Sequence, residues 1–159
     1  MDGIWTTDEL IDSLSKLPVL LPVVLADVDA ENVRFRPAEG EWSTVEVVGH
    51  LIDVEERAVA RISLIQEQDN PELTGYDPDA LVVERGYQDQ PLQPLVDHLL
   101  TVREERLAAL RALTPEQWVR TGFVPGRGDV PLTAVTVHLC WHDTTHLAQI
   151  TTNLTAAQS

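Results

Sequence analysis

Apolar residues recur every three or four positions along four long stretches of the chain, and this spacing is the period of an amphipathic α-helix. The first stretch carries Leu10, Leu14, Leu17, Leu21 and Leu25. Turn residues separate the stretches, and no convincing alternation of apolar and polar residues predicts a strand. The 159 residues fit one domain of ordinary size. The pattern therefore predicts an all-α protein, a four-helix bundle formed as one domain over residues 1–159.

Caps and prolines give the predicted bounds of the helices. A kink or restart is expected near Pro18, because proline removes a backbone donor and clashes with the preceding turn. The second helix opens at a capping box formed by Ser43 and Glu46. The predicted helices are 10–28, 44–68, 95–113, a short helix at 115–119, and 132–156.

The segment from Asp69 to Pro94 is a long polar connection between the second and third helices. Its length within a compact domain favours a functional or crossover loop. In the third helix, leucines and valines form the apolar face, and Arg103 and Arg106 are predicted on or near the opposite side. The loop from Gly122 to Pro131 is expected to lead directly into the last helix.

Charge and cysteine content restrict the partners of the protein. Asp plus Glu number 26 and Lys plus Arg number 11, so the formal net charge is −15. This charge disfavours binding to nucleic acid or to an anionic membrane surface. The single cysteine, Cys140, excludes an intramolecular disulfide, and we interpret it as a small core residue. The acidic opening segment lacks the features of a signal peptide, and no stretch is apolar enough to span a bilayer, so we expect a cytoplasmic protein.

Three histidines in the last helix, His138, His142 and His146, are spaced four residues apart and share one stripe. His138 and His146 are about 12 Å apart along the axis, so only one adjacent pair can reach one metal ion. A third ligand must come from elsewhere, and His50 borders the apolar face of the second helix in the same way. On spacing alone, the pair of His142 and His146 can equally be a coincidence on an exposed face. For His98 or His138 alone, a structural or surface role is favoured.

Asp143 and Gln149 lie close to the histidine stripe. Asp143 falls in the middle of the apolar face, where an unpaired carboxylate is costly. It is predicted either to orient a ligand imidazole or to form a buried ion pair. Gln149 is expected to join helices by hydrogen bonds rather than to bind metal.

Charged residues follow His50 along the second helix. Asp53 can reach a metal or orient His50, while Arg57 and Arg61 extend the stripe and can bind an anionic substrate. Solvated ion pairs within the helix explain the same charges more simply. Both alternatives stay open on the sequence.

Two blocks of sequence resemble the signatures of the DinB-like metal-binding bundles. The first covers residues 36–51 and continues to Asp53 and Glu55, and the second covers residues 142–150. The blocks lie about ninety residues apart, in the order that the family uses. The resemblance implies a four-helix bundle with a long crossover and one divalent metal bound by His50, His142 and His146.

Three neutral imidazoles leave a coordination position open, as in catalytic metal sites. Nitrogen ligands favour Zn or Ni, with Fe, Mn and Cu as alternatives. The family that the chain resembles includes metal-dependent enzymes that use low-molecular-weight thiols. We therefore predict activation of a thiol or water for transfer to a small electrophile, in the manner of a thiol S-transferase, with no catalytic residue assigned. A non-catalytic metal-binding stress-response bundle and a metal-dependent hydrolase are the alternatives. A homodimer is the expected assembly.

Overall fold

The computed structural model describes residues 5–159. Residues 1–4, where the acidic segment used to predict the cellular location begins, lie outside this range. The helices are α1 (Thr7–Leu14), α2 (Leu17–Val24), α3 (Thr44–Glu67), α4 (Pro78–Arg85), α5 (Leu92–Arg111), α6 (Pro115–Trp118) and α7 (Leu132–Ala157). The strands are β1 (Thr121–Val124) and β2 (Gly128–Pro131).

The long helices α3, α5 and α7 pack together with the α1–α2 pair, which confirms the all-α class and the four-helix bundle. Two buried clusters of apolar side chains form the core. One contains Leu51, Leu99 and Ile150, and the other contains Ile65 and Leu107. None of the helices within the described residues is long and apolar enough to cross a membrane.

The predicted first helix is two helices. Helix α1 ends at Leu14, and the chain restarts as α2 at Leu17. Pro18 lies in the first turn of α2, where a missing N–H costs no intrahelical hydrogen bond, so the proline favours a restart over a kink.

Helix α3 begins where the capping box predicts. The backbone N–H of Ser43 donates to Glu46 Oε2 at 2.9 Å, and Ser43 Oγ accepts from the backbone N–H of Glu46. Arg36 Nε also donates to Glu46 Oε2, at 2.9 Å. These contacts fix the first turn of α3 one turn before His50.

The expectation of no strand is wrong for one short segment. β1 and β2 pair as an antiparallel hairpin, with Thr121 opposite Pro131 and Val124 opposite Gly128. Each strand has only four residues and contains a glycine, and β2 ends in a proline, so the alternating pattern is too short to recognise.

The segment from 69 to 94 is partly helical rather than one continuous loop. Asp77 Oδ1 accepts hydrogen bonds from the backbone N–H groups of Asp79 and Ala80 and so starts α4. A short 3-10 turn at Tyr87–Asp89 follows, and α5 begins at Leu92, three residues earlier than predicted. This segment places Tyr87 in the core beside α3.

Arg103 and Arg106 are fully buried, so their predicted place on the solvent side is wrong. Arg103 donates to Glu55 Oε1 of α3 at 2.6 Å and to both carboxylate oxygens of Asp143 of α7 at 2.8 and 2.9 Å. The Nε of Arg106 lies 3.0 Å from Glu55 Oε2. The buried carboxylates that make this possible belong to other helices, and the pattern of α5 alone does not reveal them.

Candidate metal centre

Three imidazoles meet between α3 and α7. The Nε2 atom of His142 lies 3.1 Å from His50 Nε2 and 3.1 Å from His146 Nε2. The three ligand atoms all lie within 4.8 Å of one another, and no other group of three or more such side chains gathers in this way within residues 5–159. The histidines thus converge from two helices on one point.

The spacing of these nitrogens fits a divalent transition ion. Two nitrogens held tetrahedrally at about 2.0–2.1 Å from one ion are about 3.3–3.4 Å apart. A neutral imidazole Nε2 either donates or accepts one hydrogen bond, so His142 Nε2 cannot donate to one neighbour while accepting from the other. One ion can accept all three lone pairs at once.

Burial keeps the three imidazoles neutral. It lowers the pKa of His50 to about 4, with a smaller effect from His146. It lowers the pKa of His142 to about 3, helped by the neighbouring His146 and His50. Burial also lowers the pKa of His146, although the hydrogen bond to Gln149 opposes this. Neutral imidazole is the form that binds metal.

Gln149 and Trp42 hold the rings in place. Gln149 Oε1 accepts a hydrogen bond from His146 Nδ1 at 2.8 Å, so the second nitrogen of that ring, Nε2, presents its lone pair to the centre. Within residues 5–159, Gln149 therefore bonds to a residue of its own helix, and the predicted hydrogen bond to another helix is not formed. The indole of Trp42 lies 4.7 Å from the His50 ring and 6.3 Å from the His146 ring, measured between centroids. Trp42 lies within the first sequence block, but nothing in the helical spacing indicates that it packs against the histidines, because it precedes α3.

Asp53 lies outside the cluster. Its Oδ1 accepts a hydrogen bond from the hydroxyl of Tyr87 at 2.8 Å, and Arg85 Nε is 3.8 Å away. Burial raises the pKa of Asp53. Gly49 allows this contact, because a Cβ at that position would lie 2.2 Å from the Tyr87 ring. Asp53 contacts neither the centre nor the His50 ring in the described residues.

Asp143 takes the ion-pair alternative. Both of its oxygens accept from Arg103, so it holds α7 against α5 rather than orienting an imidazole.

His138 is exposed, and its ring stacks on Trp141 with the centroids 5.5 Å apart. Its centroid lies 6.2 Å from that of His142, which makes it a neighbour of the centre. Cys140 is half-buried beside the second core cluster, as a small core residue is expected to be.

A cavity of about 150 Å³ opens beside His142. Arg57, Arg61, Tyr76 and His138 line its walls together with apolar side chains. A second cavity of about 290 Å³ adjoins it and shares Arg57 and Arg61. The structure thus brings Arg57 and His138 to the approach to the centre.

Comparison with known proteins agrees with the sequence blocks and the fold. The chain matches the family model of the DinB superfamily over residues 13–150. The chain belongs to the DinB superfamily. The resemblance noted in the sequence is therefore confirmed.

Relatives of this DinB protein carry names that refer to metal. A protein of Oceanobacillus iheyensis, named as an inferred metal-dependent hydrolase, is 26% identical over 144 residues, which are 91% of this chain and 83% of that protein. A similarly named protein of Bacillus mycoides is 25% identical over 149 residues, 91% of this chain and 86% of its own. YfiT from Bacillus subtilis, described as an inferred metal-dependent hydrolase with an unusual four-helix-bundle topology, superposes with a TM-score of 0.88 at 22% identity. The superposition covers 96% of this chain and 89% of YfiT and shows the shared fold.

The centre of this DinB protein offers three nitrogen ligands and no carboxylate or thiolate within the described residues. Such a donor set leaves the charge of a divalent ion uncompensated and at least one coordination position open. The cavity beside His142 gives a small molecule access to that side of the site. This arrangement is typical of catalytic rather than purely structural metal sites.

Proposed function

We propose that this protein binds one divalent transition ion, zinc or nickel, through His50, His142 and His146 and is a metal-dependent enzyme. In this proposal a nucleophile, either water or a low-molecular-weight thiol, attacks a small electrophile held in the adjoining cavity. The observation that carries the proposal is the convergence of three imidazole Nε2 atoms beside that cavity. Iron, manganese and copper are the alternative ions for the same donors.

A divalent transition ion, when bound, supplies Lewis acidity that increases the acidity of a water or thiol at neutral pH. The residues of the chain prepare the site for this. The low pKa values of His50 and His142 keep their rings uncharged, with one nitrogen of each ring able to bind a metal, and Gln149 fixes the orientation of His146. Partial desolvation and the neighbouring Arg127 and Arg61 also lower the pKa of His138, which favours the uncharged form of its ring in the wall of the cavity.

The two nucleophiles define two reactions. The names of the relatives favour water, and with it hydrolysis. The resemblance of the two sequence blocks to a family with thiol-dependent members favours transfer to or from a thiol. Both reactions use the same centre, so an assay that varies only the nucleophile separates them.

Turnover of a panel of small esters, amides and epoxides tests the proposal, with metal-loaded protein and with or without a thiol such as glutathione or cysteine. We expect turnover that chelators abolish and that the His146→Ala variant lacks. The matched control is His98→Ala, because His98 is an exposed histidine paired with Glu56. Cleavage without thiol identifies a hydrolase, and thiol-dependent product identifies a transferase. Activity unchanged in His146→Ala contradicts the proposal, and stoichiometric metal without any turnover favours the non-catalytic bundle.

We further propose that the protein acts as a homodimer in the cytoplasm. Trp5, Val137 and Trp141 are exposed around one cavity on the α1–α7 face, and apolar surface of this kind favours association. Light scattering tests the assembly. A mass of two chains is expected, and a mass of one chain at micromolar concentration contradicts it.

A further inference from the structure

Two neighbouring arginines of α3, Arg57 and Arg61, have no carboxylate oxygen within 4.0 Å among residues 5–159. The protein carries 26 acidic residues and only 11 Lys plus Arg, so carboxylates are abundant. Both side chains are half-buried. The predicted ion pairs within this helix are therefore absent at these two residues in the described structure. An unpaired, partly buried cation needs an anion or water to replace its lost hydration.

The loop before α4 holds the two guanidinium groups in place. Arg61 Nη2 donates to the carbonyl oxygen of Thr74 at 2.8 Å, and Arg57 Nη2 donates to the same oxygen at 3.3 Å. The guanidinium of Arg57 lies 4.1 Å from the centre of the Tyr76 ring. The buried Nε of Arg57 has no hydrogen-bond partner among the described residues. Each guanidinium carries five donors, so most of them remain available.

Both arginines line the cavity beside His142. Arg57 follows His50 by seven residues, or two helical turns, so it lies on the same face of α3 about 10 Å further along the axis. Arg61 follows one turn later. The two cations are therefore placed at the end of the cavity away from the three histidines.

The acidic groups nearest these arginines form no ion pair with them among residues 5–159, although the charge of Arg57 opposes the rise that burial causes in the pKa of Asp53. Asp53, one turn earlier on α3, is bound by the Tyr87 hydroxyl and faces Arg85. Glu72, from the loop before α4, is exposed and lines only the outer, larger cavity. From α7, the titratable side chains that line the same cavity are His138 and His142, and desolvation lowers the pKa of each. Arg57 and Arg61 thus give this cavity positive potential in a protein of net charge −15.

From these contacts we infer that the cavity binds the anionic group, a carboxylate or a phosphate, of a small substrate whose reacting group lies at the three histidines. Arg57 and Arg61 bind the anion by charge-assisted hydrogen bonds, and they determine substrate specificity rather than react. This inference rests on the proposed function for the reacting end of the substrate. The anion site itself belongs to the arginines and exists without a metal.

The first part of the test uses metal-free protein and no activity assay. Hexanoate, butyl phosphate and neutral hexanol are titrated while the arginine Nε–H signals are followed by nuclear magnetic resonance, with signals assigned from single Gln variants. We expect the anions, but not hexanol, to shift the Arg57 and Arg61 signals with saturation. The anion that binds with the higher affinity shows whether the site prefers a carboxylate or a phosphate. Equal shifts with hexanol, or anion shifts that spread over all exposed arginines, overturn the inference.

The second part uses cobalt-loaded protein and two thiols of equal length, 6-mercaptohexanoate and 6-mercaptohexanol, with binding followed by the thiolate-to-cobalt absorption band. We expect the carboxylate to bind at least about tenfold more tightly, and Arg57→Gln/Arg61→Gln to remove that preference while leaving the alcohol unchanged. Arg111→Gln is the charge-matched control, because Arg111 is exposed and pairs with Glu104. A preference that survives in the double variant, or that Arg111→Gln also removes, overturns the inference. If the protein takes up no cobalt, the proposed function fails while the first part still decides the anion site.

Discussion

Replacing Arg103 with methionine tests the packing that supports the site. Arg103 is fully buried and donates four hydrogen bonds, to Glu55, to both oxygens of Asp143 and to the backbone carbonyl of Leu14. The Arg103→Met variant keeps most of the side-chain volume but leaves two buried carboxylates with only Arg106 nearby. Breaking a buried ion pair in this way costs about 3–5 kcal/mol.

The expected loss is measurable by thermal unfolding. At about 2–4 °C per kcal/mol for a domain of this size, the melting temperature of Arg103→Met falls by roughly 6–20 °C. Differential scanning calorimetry of the metal-free protein measures it. The matched control is Arg111→Met, which removes an exposed pair with Glu104 and is expected to cost less than about 1 kcal/mol.

A rescue variant separates charge from packing. Arg103→Met combined with Asp143→Asn removes the carboxylate that has lost its partner, while Glu55 keeps its ion pair with the buried Arg106, so most of the lost stability returns. The deficit of Arg103→Met alone is also smaller near pH 5 than at pH 8, because unpaired buried carboxylates have raised pKa values and protonation neutralises them. If the melting temperature of Arg103→Met lies within about 2 °C of the parent protein, or if the double variant is less stable than Arg103→Met, the buried ion pairs do not stabilise the fold in this way.

Three further predictions concern the surroundings of the histidines. Gly49→Ala places a Cβ 2.2 Å from the Tyr87 ring and is expected to lower the free energy of unfolding, measured in urea, by about 1–3 kcal/mol. In the control Gly75→Ala the added Cβ meets nothing within 4 Å, so no loss from overpacking is expected. Equal losses in the two variants contradict the clash. Gln149→Met removes the acceptor for His146 Nδ1, so metal affinity in a chelator competition is expected to fall at least about tenfold. The control Gln93→Met, at an exposed residue of α5, is expected to leave the metal affinity unchanged. Unchanged affinity in Gln149→Met would show that this hydrogen bond does not orient the ring. In metal-free protein, His50 and His142 have folded pKa values of about 4 and about 3, below the unfolded value, so the unfolded state takes up protons first. The melting temperature therefore falls as the pH drops from about 6.5 to about 4. This fall is expected to be less steep in His50→Gln than in the control His98→Gln. Equal pH profiles of the two variants contradict the claim that the folded protein keeps the His50 ring neutral.

The sequence predicts the parts of this molecule that depend on local pattern. The capping box at Ser43 places the start of α3, and helical spacing places His142 and His146 on one face. Together with the resemblance of the two blocks to the DinB family, it also predicts His50 as the third member of the cluster that the structure assembles. The i, i+4 rule and the cap are properties of a few consecutive residues, so they can be read directly.

The parts that the sequence does not predict depend on contacts between distant segments. Arg103 is placed on the wrong side because its partners, Glu55 and Asp143, belong to α3 and α7. Asp53 accepts a hydrogen bond from Tyr87, and Tyr87 lies in the core because of a 3-10 turn in the connection to α5. The hairpin of β1 and β2 is too short to show an alternating pattern. The cavity is formed by α3, α7 and the loop before α4 together, so only the assembled fold shows that Arg57 and Arg61 face it with no carboxylate partner among residues 5–159.

Metal content measured by plasma mass spectrometry is the decisive test of the three-histidine site. The protein is tag-free, purified without added metal or chelator, and then dialysed against each candidate ion. We expect about one zinc or nickel ion per chain in the parent protein and in His98→Ala, and almost none in His142→Ala. Parent protein that stays metal-free after dialysis against zinc, nickel, iron, manganese and copper contradicts this expectation, as does a His142→Ala variant that retains the same metal content.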